Sequence, residues 1–322
     1  MLVPVLLFLI GFALLIKGGD WFVDGSVGIA HRFHLPELLI GATVVSIGTT
    51  LPEVMVSSQA AAEGIAGISY GNAIGSVICN TSLIAALTVA IRPGKVDPKT
   101  FRLPTAFFFL AALSYAVIAW TMGRFDRWIG ICYLCVFVGY MILSTVQMKK
   151  HPELAEEDAE EESAAQPLWK DLLLLVIGAA AIAVGARFLV DNGTLIAAAL
   201  GVPDSVIGLT MVALGTSLPE LITAITSLVK GHGALSLGNV IGANLFNIVL
   251  VSGMAITISP FAIPAEKTIA GLNSSLIVDL PVMLAVMAIL CLPPLRSGKM
   301  RRWQGVLLLC AYAAFTVYQF VS

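Results

Sequence analysis

The chain has 322 residues, of which 58% are hydrophobic and only 12% are charged, with a formal net charge of -2. Soluble domains carry about 25% charged residues, so this composition excludes an ordinary soluble protein, and the absence of a basic face or motif argues against a nucleic-acid partner. A mean hydropathy of +0.94, carried by apolar runs of about 20 residues, predicts an all-α polytopic membrane protein rather than a β-barrel.

Ten apolar stretches that could each cross a bilayer cover almost the whole chain. We place them at about 2–22, 38–62, 68–91, 103–122, 127–148, 169–190, 205–229, 234–258, 273–293 and 302–321. They divide the chain into a five-helix unit over 1–148, a linker over 149–168 and a second five-helix unit over 169–322. The linker holds seven of the twenty acidic residues, as expected of a solvated connection.

The basic residues predict how the chain is oriented in the cell membrane. If the N-terminus lies outside, thirteen of the eighteen Lys and Arg residues fall on the cytoplasmic side and four fall outside. Cytoplasmic loops carry such an excess of positive charge. We therefore expect both termini outside and the acidic linker in the cytoplasm.

The two halves of the chain share a sequence repeat. A shift of 167 residues, without a gap, superposes residues 48–53 (GTTLPE) on 215–220 (GTSLPE), and residues 71–75 (GNAIG) on 238–242 (GNVIG). Each half has five predicted spans, an odd number, so the second half enters the membrane from the opposite side. Such inverted repeats are typical of secondary transporters, whose site lies near the midplane at the repeat interface.

The first motif of each half places hard oxygen ligands in an apolar run. Pro52 and Pro219 lack an N–H, so each leaves a carbonyl four residues earlier without its helical partner. Those carbonyls join the carboxylates of Glu53 and Glu220 and the motif hydroxyls, which belong to Thr49, Thr50, Thr216 and Ser217. Calcium takes about 6–8 oxygen ligands, and sodium is its natural competitor.

The two glutamates favour a cation over a structural role. A structural glutamate would pair with an arginine or lysine, and no basic residue lies within the predicted helices of either motif. An ionised carboxylate at mid-membrane costs roughly 2.5–3.5 kcal/mol, and a divalent cation between two of them offsets that cost. The four histidines lie away from both motifs, which argues against zinc or copper.

The second motif of each half adds neutral polar groups. Ser76 and Asn80 are four residues apart and share one helix face, and Asn247 is the repeat equivalent of Asn80. The asparagines either contact the cation or form hydrogen bonds between helices. The motif glycines allow close helix packing, as small residues do in membranes.

These paired motifs resemble the alpha repeats of the calcium/cation antiporter superfamily, the sodium/calcium exchangers, in their short prokaryotic form. The resemblance covers both halves and implies that Glu53 and Glu220 are the central calcium ligands. Further ligands implied by it are the hydroxyl or backbone oxygens of Thr49, Thr50, Thr216 and Ser217, the backbone carbonyls of Ser46 and Ala213, and the polar side chains of Ser76, Asn80 and Asn247.

The chain also departs from that family pattern. Ala243 stands where prokaryotic members often have a serine, which places one sodium position in doubt. Asn247 stands where potassium-dependent members have an acidic residue, which argues against potassium co-transport. Gly75 and Gly242 stand where proton-coupled relatives carry a glutamate, which favours sodium as the counter-ion.

The resulting expectation is an antiporter that exchanges calcium for sodium by alternating access. A proton-coupled calcium exchanger and, less well supported, a passive cation channel are the alternatives, and no hydrolase motif suggests an enzyme. Calcium and sodium are then substrates in a lipid bilayer, and we expect neither a resident cofactor nor an obligate protein partner.

Replacing Glu53 or Glu220 with glutamine tests the assignment. Each change removes one charge from the calcium site, so we expect calcium exchange to be abolished while the protein stays folded. The measurement is calcium flux into vesicles alongside helical content by circular dichroism. Wild-type transport by both variants would refute these two residues as ligands.

Overall fold

A computed structural model describes residues 2–150, 167–200, 215–265, 268–269 and 271–321. Within these residues the chain is helical almost throughout. Its helices are α1 (Leu2–Arg32), α2 (Glu37–Ala62), α3 (Ala66–Ile91), α4 (Pro98–Met122), α5 (Arg127–Lys150), α6 (Leu168–Ala199), α7 (Leu218–Val229), α8 (Gly233–Ile258), α9 (Ser275–Ser297) and α10 (Arg302–Val321).

Eight of the described helices are long and apolar enough to cross a membrane, namely α1 to α6, α8 and α9. The prediction of a multi-pass helical membrane protein is therefore confirmed. The predicted span 205–229 begins on residues outside the described part, and α7 covers only its last 12 residues. The helix α10 has 20 residues but is not among the eight, so the count of ten stays a prediction. The linker 149–168 lies almost wholly outside the described residues.

The helices α1 and α6 are longer than predicted. The expected spans were 2–22 and 169–190, whereas the helices have 31 and 32 residues. An apolar stretch of sequence identifies only the part of a helix that crosses the hydrocarbon core of the bilayer, which is about 20 residues long. The helical hydrogen bonds continue past it into more polar sequence, so the predicted ends were wrong although both helices were expected.

Glycines bring the backbones of α1 and α6 into contact. A Cβ at Gly11 would lie 2.8 Å from the carbonyl oxygen of Gly185, and one at Gly18 would lie 3.0 Å from that of Gly178. The contact is reciprocal, since a Cβ at Gly185 would meet the Gly11 carbonyl. These pairs run in opposite directions along the chain, so the two helices are antiparallel and pack as closely as small residues allow.

Four of the described helices contain a short π-helical segment. In the three that carry predicted site residues it lies at Gly41–Val45, Asn80–Ala85 or Asn247–Val251. Ser46 directly follows the first segment, while Asn80 and Asn247 begin the other two. A π-helical turn inserts one residue into the helical repeat, and such turns are frequent at functional sites. The three segments therefore mark where α2, α3 and α8 place their polar side chains.

Short backbone pairings join the loops at the ends of the bundle. The strand β1 (Arg124–Phe125) pairs antiparallel with β2 (Phe261–Ala262), and β3 (Thr268–Ile269) pairs with β4 (Leu272–Asn273). An isolated bridge connects Lys95 with Lys299. The α3–α4 loop thus meets the α9–α10 loop, while the α4–α5 loop meets the α8–α9 loop, as expected of helices that alternate in direction.

The variant Gly178→Ala tests the backbone contact between α1 and α6. Its methyl group would lie 2.7 Å from Phe22 Cα and 2.8 Å from the Gly18 carbonyl oxygen, so the helices must separate. Overpacking of this kind costs about 1–3 kcal/mol, and we expect a lower Tm in detergent.

The matched control is Gly139→Ala in α5. Among the described residues, no atom lies within 4 Å of a Cβ at this position. Alanine is favoured over glycine in a helix by about 0.8–1.0 kcal/mol, so this variant should keep or raise the Tm. Equal Tm values for the two variants would contradict the packing.

Candidate functional site

Glu53 and Glu220 meet in the interior of the protein. Glu53 lies in α2 and Glu220 in the first turn of α7, and both side chains are 0% exposed. The helices α2 and α7 that carry them contact each other. The structure therefore brings together the two residues that the sequence repeat singles out.

The two copies of the motif have different local structures. Pro52 lies inside the continuous helix Ser46–Ala62. Pro219 lies in the first turn of α7, directly after turn residues Thr216 and Ser217. Proline is well tolerated in a first turn, where its missing N–H has no helical acceptor. Glu220 therefore sits at a helix N-terminus, which favours negative charge, whereas Glu53 sits in the middle of a helix.

Several buried polar atoms on the helices α2, α3, α7 and α8 have no hydrogen-bond partner. Among the described residues, the atoms that are buried and have no such partner include both carboxylate oxygens of Glu53 and Glu220, the hydroxyls of Thr50, Ser217 and Thr223, and both amide atoms of Asn80 and Asn247. They come from α2, α3, α7 and α8, which contact one another. Buried polar groups are normally hydrogen-bonded, so this cluster can bind a cation.

The remaining predicted residues have more varied surroundings. Ser76 is 5% exposed, on α3 one turn before Asn80, and Thr216 is partly exposed. The Thr49 hydroxyl lies beside Glu220 and donates to Asn239 Oδ1 at 3.2 Å. The Ser46 hydroxyl donates to the backbone carbonyls of Gly41 at 2.8 Å and Asn239 at 2.9 Å. Ala213 lies outside the described residues.

Two asparagines that the sequence analysis did not single out support the site. Asn72 Nδ2 donates to the backbone carbonyl of Glu53 at 3.2 Å and to Ser57 Oγ at 2.8 Å. Asn239 accepts from α2 through Thr49. The two residues are superposed by the same 167-residue shift, and that signal could have identified them. Each fastens the backbone or hydroxyls of α2 to a neighbouring helix.

Asn244, beside the unexpected Ala243, is held by hydrogen bonds between three helices. Its Nδ2 donates to Thr81 Oγ1 at 2.8 Å and to Met287 Sδ at 3.2 Å. It therefore connects α8 with α3 and α9. Ala243 itself is 0% exposed.

The acidic residue at the start of α2 forms hydrogen bonds outside the central cluster. Glu37 is 4% exposed and lies 2.7 Å from Nδ1 of His232 in the α7–α8 loop, with His31 at 3.7 Å. The hydrogen bond to Glu37 raises the pKa of His232. This contact fastens α2 to the start of α8.

The central cluster matches a small, hard cation in its chemistry. The atoms that could bind a cation are carboxylate, hydroxyl and amide oxygens, which suit calcium and sodium rather than soft metals. The two carboxylates together supply two negative charges, so one divalent ion or several monovalent ions can neutralise them. This arrangement can therefore bind a cation, whose positive charge takes the place of a lysine or arginine side chain.

Comparison with known proteins identifies the family. The family model for the sodium/calcium exchanger protein matches residues 3–146 and 170–321. The putative antiporter CaxA of Alkalimonas amylolytica is 35% identical over 100% of both chains. The sodium/calcium exchanger MaX1 of Methanosarcina acetivorans is 31% identical over 99% of both chains.

A solved structure has the same fold. The sodium-calcium exchanger NCX_Mj matches with a TM-score of 0.81 at 34% identity, over 97% of each chain. The resemblance inferred from the paired motifs is thus confirmed across both halves. The chain belongs to the sodium/calcium exchanger family of multi-pass membrane proteins.

Proposed function

We propose that this protein exchanges calcium for sodium across the membrane by alternating access. In this proposal ten transmembrane helices form two inverted five-helix repeats, and calcium binds between Glu53 and Glu220. The observation that carries the proposal is the pair of fully buried carboxylates, on helices that contact one another and hold further buried oxygen atoms without hydrogen-bond partners. Neither carboxylate has a lysine or arginine partner within the described residues.

Exchange follows from charge balance at this pair. One calcium ion neutralises both carboxylates, and sodium ions neutralise them only if calcium leaves. Calcium and sodium then bind to the same oxygen atoms in turn. Thr50, Ser217, Asn80 and Asn247 complete the set of oxygens, and Ser76 extends it by one helical turn; Ser46, Thr49, Thr216 and Ala213 belong to the same proposed ligand set.

The inverted repeat has support in the helix limits. The 167-residue shift carries the segment Ala66–Cys79 onto Gly233–Phe246, and each is followed by a π-helical segment. It also relates Gly11 and Gly18 of α1 to Gly178 and Gly185 of α6, which are the residues in mutual contact. Antiparallel contact between equivalent residues is what a pseudo-twofold axis produces.

The pair α1 and α6 is the part of the structure suited to movement over the site. Its two helices contact each other through glycine backbones and therefore move together. Phe22 of α1 and Ile182 of α6 lie with Pro52 and Pro219 around one small cavity. Sliding of α1 and α6 past these prolines would expose the carboxylates to one side of the membrane and then to the other.

The chain has glycine at both positions, Gly75 and Gly242, where proton-coupled relatives carry a glutamate, which favours sodium over protons as the counter-ion. A Cβ at Gly242 would lie 2.6 Å from Ala42 Cα and 2.7 Å from its carbonyl oxygen, so a longer side chain has no room there. A Cβ at Gly75 would meet open space. Coupling of calcium transport to sodium is then simpler, because sodium ions bind to the same oxygen atoms as calcium.

The distribution of Lys and Arg supports one orientation. We place both termini outside and the acidic linker 149–168 in the cytoplasm, because thirteen of the eighteen basic residues then lie on the cytoplasmic side. The loops holding Lys95 and Lys299, which the isolated bridge joins, are both cytoplasmic in this arrangement.

Calcium uptake into proteoliposomes tests the coupling. Vesicles loaded with sodium and diluted into sodium-free buffer should accumulate calcium above its external concentration, because outward sodium flow drives inward calcium flow. Uptake should be unchanged when a protonophore collapses the pH gradient. Glu53→Gln proteoliposomes are the matched control and should show only background uptake.

The other outcomes identify the alternatives. Uptake that only a proton gradient drives would establish the proton-coupled exchanger. Calcium flux that equilibrates but never exceeds the external concentration would establish a channel. Either result would refute sodium coupling.

Asn72→Ala tests the support of Glu53. The change removes the Asn72 donor from the Glu53 carbonyl and from the Ser57 hydroxyl, and a lost hydrogen bond of a buried group costs about 1–3 kcal/mol. We expect the apparent calcium affinity to fall about tenfold, which corresponds to about 1.4 kcal/mol.

Gln147→Ala provides the matched control. Gln147 of α5 also donates an amide hydrogen to a backbone carbonyl of another helix, that of Lys99 in α4 at 3.0 Å, but this hydrogen bond is exposed. Its calcium affinity should stay at the wild-type value. Unchanged affinity in folded Asn72→Ala would show that this hydrogen bond does not support the site.

A further inference from the structure

An ion-pair cluster fastens α1 to the C-terminal end of α7. Lys230 Nζ lies 2.7 Å from Asp24 Oδ1 and 3.5 Å from Asp20 Oδ1, and it donates to the backbone carbonyl of Asp20 at 3.2 Å. We call these three residues the Lys230 cluster. The Lys230 side chain is 25% exposed, so the cluster lies at the edge of the helix contact.

The contact beside the Lys230 cluster is closed. A Cβ on Gly19 of α1 would lie 2.7 Å from Ile222 Cγ2 and 2.8 Å from Thr226 Oγ1 of α7. Both of these α7 residues are partly buried. At this end α1 therefore packs directly against α7, and the ion pairs hold it there.

The 167-residue shift identifies the equivalent contact at the opposite end of the molecule. It carries Lys230 back to Glu63 at the C-terminal end of α2, and it carries Asp20 and Asp24 forward to Arg187 and Asp191 of α6. The charges of the first pair are reversed, since Lys230–Asp20 becomes Glu63–Arg187. An attraction is thus available between the equivalent helices at both ends.

The equivalent contact is open in this structure. Met55, the counterpart of Ile222, is 71% exposed, and Gln59, the counterpart of Thr226, is also exposed. Arg187 Nε lies 3.5 Å from Asp191 Oδ2, while Glu63 accepts a hydrogen bond from Gln59 at 3.0 Å. One end is therefore closed by ion pairs, whereas at the other end Glu63 and Arg187 each pair with a residue of their own helix.

We propose that Glu63 and Arg187 form an ion pair when α1 and α6 move, and that this pair replaces the Lys230 cluster in the alternate state. This inference rests on the proposed alternating access. Because an inverted repeat exchanges the conformations of its two halves, closing the Glu63 end places α6 against α2 as α1 now lies against α7. The two ion-pair sites then control which end is open.

The charges make the two sites unequal in strength. Lys230 faces two carboxylates, Asp20 and Asp24. Glu63 would face one cation, Arg187, and one like charge, Asp191. The state closed at the Lys230 end is therefore favoured, which agrees with the state that the structure shows.

Thiol labelling of two equivalent positions measures the balance between states. Gln59→Cys reports on the Glu63 end and Thr226→Cys on the Lys230 end, with a water-soluble maleimide added to purified protein in lipid nanodiscs. The chain without an added cysteine gives the baseline. We expect Gln59→Cys to react fast and Thr226→Cys to react at least tenfold more slowly.

Charge changes should move the Thr226→Cys rate in opposite directions. Lys230→Gln, or Asp24→Asn as a milder change, should raise the rate at least threefold by releasing the Lys230 cluster. Asp191→Asn should also raise it, because Arg187 loses its present partner and Glu63 loses a like charge nearby. Glu63→Gln should lower it by removing the alternate ion pair.

Asp126→Asn is the matched control, since Asp126 also pairs with an arginine, Arg124, at 2.7 Å, but lies at neither contact. It should leave both labelling rates unchanged. Rates that do not respond to Glu63→Gln and Asp191→Asn would overturn the alternate pair, and a rate that does not respond to Lys230→Gln and Asp24→Asn would overturn the Lys230 cluster as a restraint.

Calcium uptake by the same preparations separates this inference from the proposed function. A wild-type protein without sodium-driven uptake would refute the exchange mechanism, whatever the labelling shows. Normal calcium uptake, together with labelling rates that none of the four charge changes alters, would refute only the ion-pair control of the two states.

Discussion

The structure depends on a pair of carboxylates placed where water cannot solvate them. Glu53 and Glu220 are fully buried and lie on helices α2 and α7, which contact each other. Within the described residues no lysine or arginine compensates them. A charge at mid-membrane is costly and is retained almost always for function. The surrounding helices are arranged so that a cation can supply the compensation that the protein does not.

Unusual backbone features allow four helices to converge on this pair. The π-helical segments before Ser46 and at Asn80 and Asn247 shift the side chains that follow. Gly238 and Gly242 let α8 approach α2 so closely that a Cβ at Gly238 would lie 3.0 Å from Leu38 Cα. The glycines and the π-helical segments thus determine together how closely these helices pack and where their polar side chains lie.

The two halves share a sequence pattern but not one conformation. Pro52 is inside a helix, while Pro219 lies in the first turn of one. Asn72 binds the backbone of Glu53, while its counterpart Asn239 binds hydroxyls of the opposite repeat. The end at Lys230 is closed and the end at Glu63 is open. The proposed alternating access requires such differences, because the protein then faces one side of the membrane at a time.

The sequence by itself determined the class of protein and most helix positions, and it singled out the two glutamates that the structure buries. Apolar length predicts membrane helices because the bilayer core has a nearly fixed thickness, and a repeated Gly, Pro and Glu pattern stands out against an apolar background. The sequence could not give the ends of α1 and α6, because helical hydrogen bonds extend beyond the apolar window. Nor did it indicate the supporting roles of Asn72 and Asn239. Their hydrogen bonds join residues up to 190 positions apart, and only the packing of α3 and α8 against α2 decides which groups they meet.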